Sequence, residues 1–300
     1  MNYLTHQMSI ARPILSVPLR EEYYKRLSTP YTKGGKEFIF LEQFNAGSGN
    51  ELSKKFWRTI SSSRLCFDLY SWMGADDNYD ALEFEKRIPG IISGGRQISP
   101  NMDVYFEMGQ DIFFIESKYT ETVVNKNYKK DLPEAYWNTN ETYRSVNGKT
   151  VPFPIIKRYH GYEDVKDAFI SFIDEVDSVA AQEEGPSWFD AKQETCHLLG
   201  ITIYAIKNHP RKSIHFLNVA ANESFSMFSA FFNYKAEEMV SNILKNHGVS
   251  ASFDYQLCSV DDFFGSFRLF DRQGYQSKYT IRQLITNPEL YDIENHPICR

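Results

Sequence analysis

Cysteine is scarce in this chain of 300 residues, and its four cysteines stand far apart. They are Cys66, Cys196, Cys258 and Cys299. Because no two of them form a Cys-x-x-Cys pair, the sequence predicts neither a zinc ribbon nor a dense disulfide framework. Reduced thiols are therefore expected.

Long apolar runs are also missing. No stretch of about 18 consecutive apolar residues occurs, which argues against a transmembrane helix. The first residues, "MNYLTHQMSIARPIL", lack the basic start and the apolar stretch of a signal peptide. These absences predict a cytoplasmic protein without a membrane partner.

Positive charge is not in excess, since 33 Lys and Arg residues stand against 39 Asp and Glu residues, a net charge of -6. A strongly basic protein attracts nucleic acid through its whole electrostatic field. In this chain, any contact with nucleic acid must come from a local basic patch. The candidate residues for such a patch are Lys54, Lys55, Arg58, Arg64, Lys126, Lys129 and Lys130.

The residues that are present indicate one folded unit. A hydrophobic content of 42% and an aromatic content of 15% suffice for a sizeable core. We interpret residues 1–300 as a single domain, with a core at about 45–250 and a C-terminal cap at 251–300. Hydrophobic periodicity predicts an α/β fold (α+β with one mixed sheet), in the order helix, three-strand meander, helix, strand, helix.

The segment "NMDVYFEMGQDIFFIESKYTE" predicts a hairpin within that meander. Glycine at the first central position of a turn Gly109-Gln110 suits type II′. The strands then pair with Glu107 opposite Ile112, which places Asp103 opposite Glu116. Side chains alternate between the faces of a sheet.

This register segregates the side chains of the hairpin by face. One predicted face carries Asp103, Tyr105, Glu107, Phe114, Glu116 and Lys118. The other is wholly apolar and carries Met102, Val104, Phe106, Phe113 and Ile115.

Two carboxylates that face each other across strands repel, so a purely structural sheet would avoid this pair. A divalent cation between Asp103 and Glu116 removes the repulsion, and oxygen ligands suit Mg²⁺. Lys118 would point to the same spot, where it could act on an attacking water or balance the charge of a phosphate. The alternative interpretation is a surface salt bridge, because Glu-x-Lys is a common tripeptide.

These residues resemble the PD-(D/E)xK nucleases, the superfamily with a restriction-endonuclease-like fold. "SPNMDVYF" holds the aspartate and "DIFFIESKYTE" holds the Glu-x-Lys, although Pro100 stands three residues before Asp103 instead of directly before it. The resemblance spans roughly Glu51 to Ala221 by element order. It implies that Asp103, Glu116 and the backbone carbonyl of Ser117 bind the metal, while Lys118 acts on the water.

The resemblance also implies two further residues. Glu51, before a predicted helix, matches an acid that serves a second metal or its water shell; otherwise it is a plain first-turn acid, which the helix dipole favours. Gln193, on a later helix, matches a residue that orients a water, a phosphate or the lysine; otherwise it is a solvated polar residue. His197, one turn beyond Gln193, either faces the site or, more commonly for such a histidine, is structural.

The activity implied by the resemblance is hydrolysis of a phosphodiester with Mg²⁺, or Mn²⁺ in its place, by a DNA nuclease, for example in restriction or defence. RNA stays open as a substrate, and enzymes that cut both strands are often homodimers. A second hypothesis is a non-catalytic module that binds nucleic acid or protein on the same fold. A third is a metal-dependent hydrolase of a small phosphate compound, which the net acidity favours.

Overall fold

A computed structural model of the chain describes residues 17–46, 52, 56–57, 61–88, 92–93, 96–97, 100–118, 142–146, 149–153, 161–180, 191–220 and 227–259. The α-helices in these ranges are α1 (Val17–Leu27), α2 (Phe40–Ala46), α3 (Ser62–Tyr70), α4 (Glu163–Ala180), α5 (Ala191–Asn208) and α6 (Met227–Asn246), and a 3-10 helix follows α3 at Ser71–Ala75. The strands are β1 (Pro30–Lys33), β2 (Lys36–Ile39), β3 (Ala81–Arg87), β4 (Ile92–Ser93), β5 (Arg96–Gln97), β6 (Asn101–Met108), β7 (Asp111–Lys118), β8 (Thr142–Val146), β9 (Lys149–Phe153), β10 (Ser213–Ala220) and β11 (Phe253–Ser259).

A five-stranded mixed sheet forms the centre, in the order β11-β10-β7-β6-β3. Strands β3, β6 and β7 are antiparallel neighbours, whereas β10 runs parallel to β7 and β11 runs parallel to β10. The remaining described strands form the separate pairs β1-β2, β4-β5 and β8-β9. The predicted mixed α/β class is therefore confirmed. Strand β11 extends the sheet into residues 251–300, the range assigned above to a cap.

Helices cover both faces of this sheet and enclose one apolar core on each. The α4–α6 core lies on one face and includes Ile112, Phe114 and Phe216, while the α1–α3 core lies on the other and includes Phe113 and Ile115. Strand β7 thus contributes alternate residues to both cores. Its uninterrupted apolar run is the pattern expected of a strand buried on both faces.

The predicted register of the β6-β7 hairpin is confirmed from Glu107 opposite Ile112 to Val104 opposite Ile115, whereas the next pair, Asp103 with Glu116, stays a prediction. Gly109 has a φ of 57°, and Gln110 is not among the described residues with a positive φ. This combination matches a type II′ turn and not type I′, which needs a positive φ at both central residues.

The predicted face of Met102 is wrong. Met102 was expected beside Val104 but packs in the α4–α6 core. Glu85, on the neighbouring strand β3, has a φ of 51°, a left-handed conformation that interrupts the alternation of side chains. Beyond this point Ile88 also turns to the α4–α6 core. Simple alternation therefore does not fix the direction of Asp103.

Two predictions near the N-terminus need correction. The stretch "EFIFLEQF" by itself favours a strand, but β2 ends at Ile39 and a helix begins at Phe40. A helix was expected from Glu51, yet Phe56 and Trp57 lie in a turn, although both are buried. Short apolar runs are compatible with either structure until tertiary packing selects one.

Glycine after the stretch "YKAEEMVSNILKNH" predicts a helix end at Gly248, and the end of α6 confirms it. Gly248 has a φ of 66°, and its amide donates to the Lys245 carbonyl at 3.1 Å. The Val249 amide donates to the Leu244 carbonyl at 2.9 Å, which completes a Schellman motif. Across the described ranges, no helix has both the length and the apolar character needed to cross a bilayer.

Gly200 lies in the interior of α5 because Pro100 packs against it. A Cβ at this position would lie 2.4 Å from Cγ and 3.1 Å from Cδ of Pro100. Helix-interior glycine usually costs about 0.5–1 kcal/mol relative to alanine. Here the close approach of the two elements outweighs that preference.

We predict that Gly200→Ala destabilises the protein, although alanine is the better helix former. Overpacking of this kind costs about 1–3 kcal/mol, which exceeds the gain in helix propensity. Urea unfolding monitored by circular dichroism measures the change. The double variant Gly200→Ala/Pro100→Ala should recover the lost stability, and a Gly200→Ala variant more stable than the parent would contradict the packing argument.

His215 joins three strands of the central sheet. From β10, its Nε2 lies 3.0 Å from Asp111 Oδ1 on β7 and its Nδ1 lies 3.2 Å from Asp254 Oδ2 on β11. The imidazole also stacks on Phe113 at a centroid distance of 4.7 Å. Burial lowers the pKa of His215, but hydrogen bonds with Asp254 and Asp111 outweigh it and leave that pKa raised.

We predict that His215 makes stability depend on pH. A raised pKa in the fold means that the charged imidazole stabilises the protein fully below its unfolded pKa, about 6.5. That contribution disappears as the pH rises through the folded pKa. The difference in unfolding free energy between the parent and His215→Gln should therefore shrink from pH 5.5 to pH 9, and a constant difference would count against this role.

Candidate functional site

The carboxyl end of β7 buries three polar residues in a row. Glu116, Ser117 and Lys118 are 4%, 1% and 6% exposed. Charged residues are seldom buried to this extent unless they are paired. The central position of β7 leaves their side chains with only the flanking strands and the covering helices as partners.

Gln193, in the first turn of α5, closes a three-residue cluster with Glu116 and Lys118. Lys118 Nζ donates to Glu116 Oε1 at 2.7 Å and to Gln193 Oε1 at 2.6 Å. Gln193 Nε2 donates in turn to Glu116 Oε1 at 2.7 Å. The structure thus brings together three of the residues that the sequence singled out.

Asp103 lies just beyond the pair Val104–Ile115 and is held by the neighbouring strand. Its Oδ2 accepts a hydrogen bond from the Ser117 backbone amide at 2.7 Å. Asp103 is half-buried, and burial together with the charges of Glu116 and Glu85 raises its pKa well above the usual range. The charges of Glu116 and Glu85 thus repel that of Asp103, and Lys118 offsets this repulsion only partly.

This donor set fits Mg²⁺. Hard cations of this size usually take one or two carboxylates and keep several waters. In the ranges that the structure describes, no group of three or more His, Cys, Asp and Glu residues is close enough to hold a metal. Asp103 and Glu116 would hold Mg²⁺ with few protein ligands, and the cation would relieve the repulsion that raises the pKa of Asp103.

Further polar residues surround Glu116 on the side of the α4–α6 core. His197 Nδ1 lies 3.7 Å from Glu116 Oε2, so this histidine faces the site. Tyr255 OH donates to Glu194 Oε2 at 3.2 Å, and Asn218 stands opposite Glu116 on β10. Sequence reasoning missed Glu194, Asn218 and Tyr255. The signal for Asn218 was a lone amide in the apolar stretch "HFLNVAA".

Two other predictions concern the basic patch and Glu51. Arg64 is only 2% exposed and reaches the Phe56 carbonyl at 3.5 Å inside the protein, so it cannot belong to a surface basic patch. Glu51 lies outside the described residues. The remaining candidates for the basic patch also lie outside them, namely Lys54, Lys55, Arg58, Lys126, Lys129 and Lys130.

Comparison of the chain with family models, with curated proteins and with solved structures finds no match. Functional inference therefore depends on the geometry of this site.

We predict strong coupling between Glu116 and Lys118. Removing one partner of a buried ion pair costs about 3–5 kcal/mol, because the other charge is left uncompensated. The single variants Glu116→Gln and Lys118→Met should each be clearly destabilised, and the double variant should lose much less than their sum. Urea unfolding of the four proteins measures the coupling.

The more exposed pair Lys235–Glu175, at 2.9 Å, is the matched control. Exposed pairs contribute about 0–1 kcal/mol, so its double-mutant cycle should show little coupling. Equal coupling in the two cycles would mean that the buried cluster has no special energetic role.

Proposed function

We propose that the protein is a Mg²⁺-dependent phosphodiester hydrolase, a nuclease of the PD-(D/E)xK type that acts on DNA. The observation that carries this proposal is the cluster at the end of β7, where Lys118 is bound by Glu116 and Gln193 beside Asp103. The order of three antiparallel strands, helices and a parallel strand supports a restriction-endonuclease-like core.

Each residue has a distinct role in the proposal. Asp103 and Glu116, with the backbone carbonyl of Ser117, would hold Mg²⁺ or Mn²⁺, which would supply charge stabilisation for the phosphate and an activated water. Lys118 orients the attacking water and balances negative charge at the phosphate. Gln193 fixes the Lys118 ammonium and the Glu116 carboxylate through one amide, which keeps both in position for the reaction.

A non-catalytic binding module is the second candidate. The observation that favours it is that Lys118 is 6% exposed with its ammonium directed at Glu116 and Gln193. In such a module the cluster would serve only to stabilise the end of β7.

We predict metal-dependent cleavage of DNA by the purified protein. Plasmid DNA, single-stranded DNA and RNA are incubated with Mg²⁺ or Mn²⁺, and with EDTA. Asp103→Ala and Lys118→Ala should each reduce the rate by about 100-fold or more, because they remove a metal ligand and the group acting on the water. Comparing the three substrates identifies the nucleic acid that is cut.

Asp77→Ala and Lys25→Ala are matched controls, since both residues are exposed and far from the cluster in sequence. They should leave the rate unchanged. Absence of cleavage on every substrate, together with no Mg²⁺ binding by calorimetry, would refute the nuclease and favour the binding module.

A further inference from the structure

Asn218 is a buried amide directly beside the candidate site. It lies on β10 in parallel register with Glu116 on β7, and it is 0% exposed. Its neighbours two residues away, Phe216 and Ala220, both belong to the α4–α6 core. By alternation Asn218 faces the same side, as does Glu116, on strands about 4.8 Å apart.

The amide of Asn218 has no well-formed hydrogen bond within the described ranges. Neither Oδ1 nor Nδ2 has a hydrogen-bond partner among the residues that the structure describes. Burial raises the pKa of Tyr255, and a hydrogen bond from the Asn218 amide lowers it, so the two side chains are in contact. This contact falls short of ordinary hydrogen-bond geometry, and it leaves Oδ1 without a donor in the described part of the chain. A buried polar group without a partner destabilises a fold, and an apolar residue of the same shape would avoid that cost.

The adjacent residues show that β10 accepts apolar side chains at this depth. Leu217 and Val219 are both buried in the opposite core. Leucine at position 218 would resemble asparagine in shape. An unsatisfied amide at this position therefore points to a ligand group that the amide meets when the site is loaded.

We infer that Asn218 is a positioning residue of the candidate site and that its Oδ1 accepts hydrogen bonds from water molecules in the metal's shell beside Glu116. This inference rests on the proposed function. Mg²⁺ keeps several of its waters in protein sites, and such waters need acceptors. Among the polar groups next to Glu116, Lys118 and the Gln193 amide nitrogen are donors, whereas Asn218 offers a free acceptor.

The test compares Asn218→Leu with the parent in two measurements. Mg²⁺ affinity by calorimetry should fall about 10–100-fold, which is the usual effect of losing an outer-shell partner. Urea stability without metal should be unchanged or higher, because the variant removes an unsatisfied amide. Asn218→Asp, which keeps an acceptor oxygen, should bind Mg²⁺ at least tenfold more tightly than Asn218→Leu.

Tyr79→Phe is the matched control. The Tyr79 hydroxyl is another buried group without a hydrogen-bond partner in the described residues, but it lies in the α1–α3 core. This variant should leave Mg²⁺ affinity unchanged. Equal affinity of Asn218→Leu and the parent would overturn the role of Asn218 alone, whereas a parent protein that binds no Mg²⁺ would overturn both this inference and the metal site.

Discussion

Strand β7 is hydrogen-bonded to two different neighbours, antiparallel β6 on one side and parallel β10 on the other. Both of its faces are covered, so its side chains from Ile112 to Lys118 are shielded from water. Polar residues at its end can then be paired only by neighbouring strands or by a covering helix. The contacts of Glu116 and Lys118 with Gln193, and of Ser117 with Asp103, follow from this constraint.

Local patterns were sufficient for the parts of the fold that local interactions decide. The apolar run of β7, the turn at Gly109 and the helix end at Gly248 were all predictable, because backbone conformation and alternation fix them within a few residues. The face of Met102 was not predictable. It depends on a left-handed backbone at Glu85, which is a non-glycine residue on a different strand. No sequence pattern in β6 carries that information.

The residues of the candidate site also divide into those that local sequence predicts and those that depend on tertiary packing. Glu116 and Lys118 were identifiable because residues two apart on a strand lie on the same face. Gln193 was identified only through the resemblance to a nuclease family. Asn218 lies beside Glu116 only because β10 pairs in parallel with β7, and His197 approaches Glu116 from α5. Parallel pairing joins residues that are distant in sequence, so its register depends on the packing of the whole domain.

The contact between Gly200 and Pro100 also connects the helix part of the candidate site to its strand part. Helix α5 carries Gln193, and Pro100 directly precedes the strand that carries Asp103. The helix contributes bare backbone to this contact, and the Pro100 carbonyl is tied to the Ile88 amide at 3.0 Å. A contact between a proline ring and a backbone has no side-chain torsion that can absorb displacement. A shift of α5 would therefore press on the residue that directly precedes β6, which couples the position of Gln193 to that of Asp103.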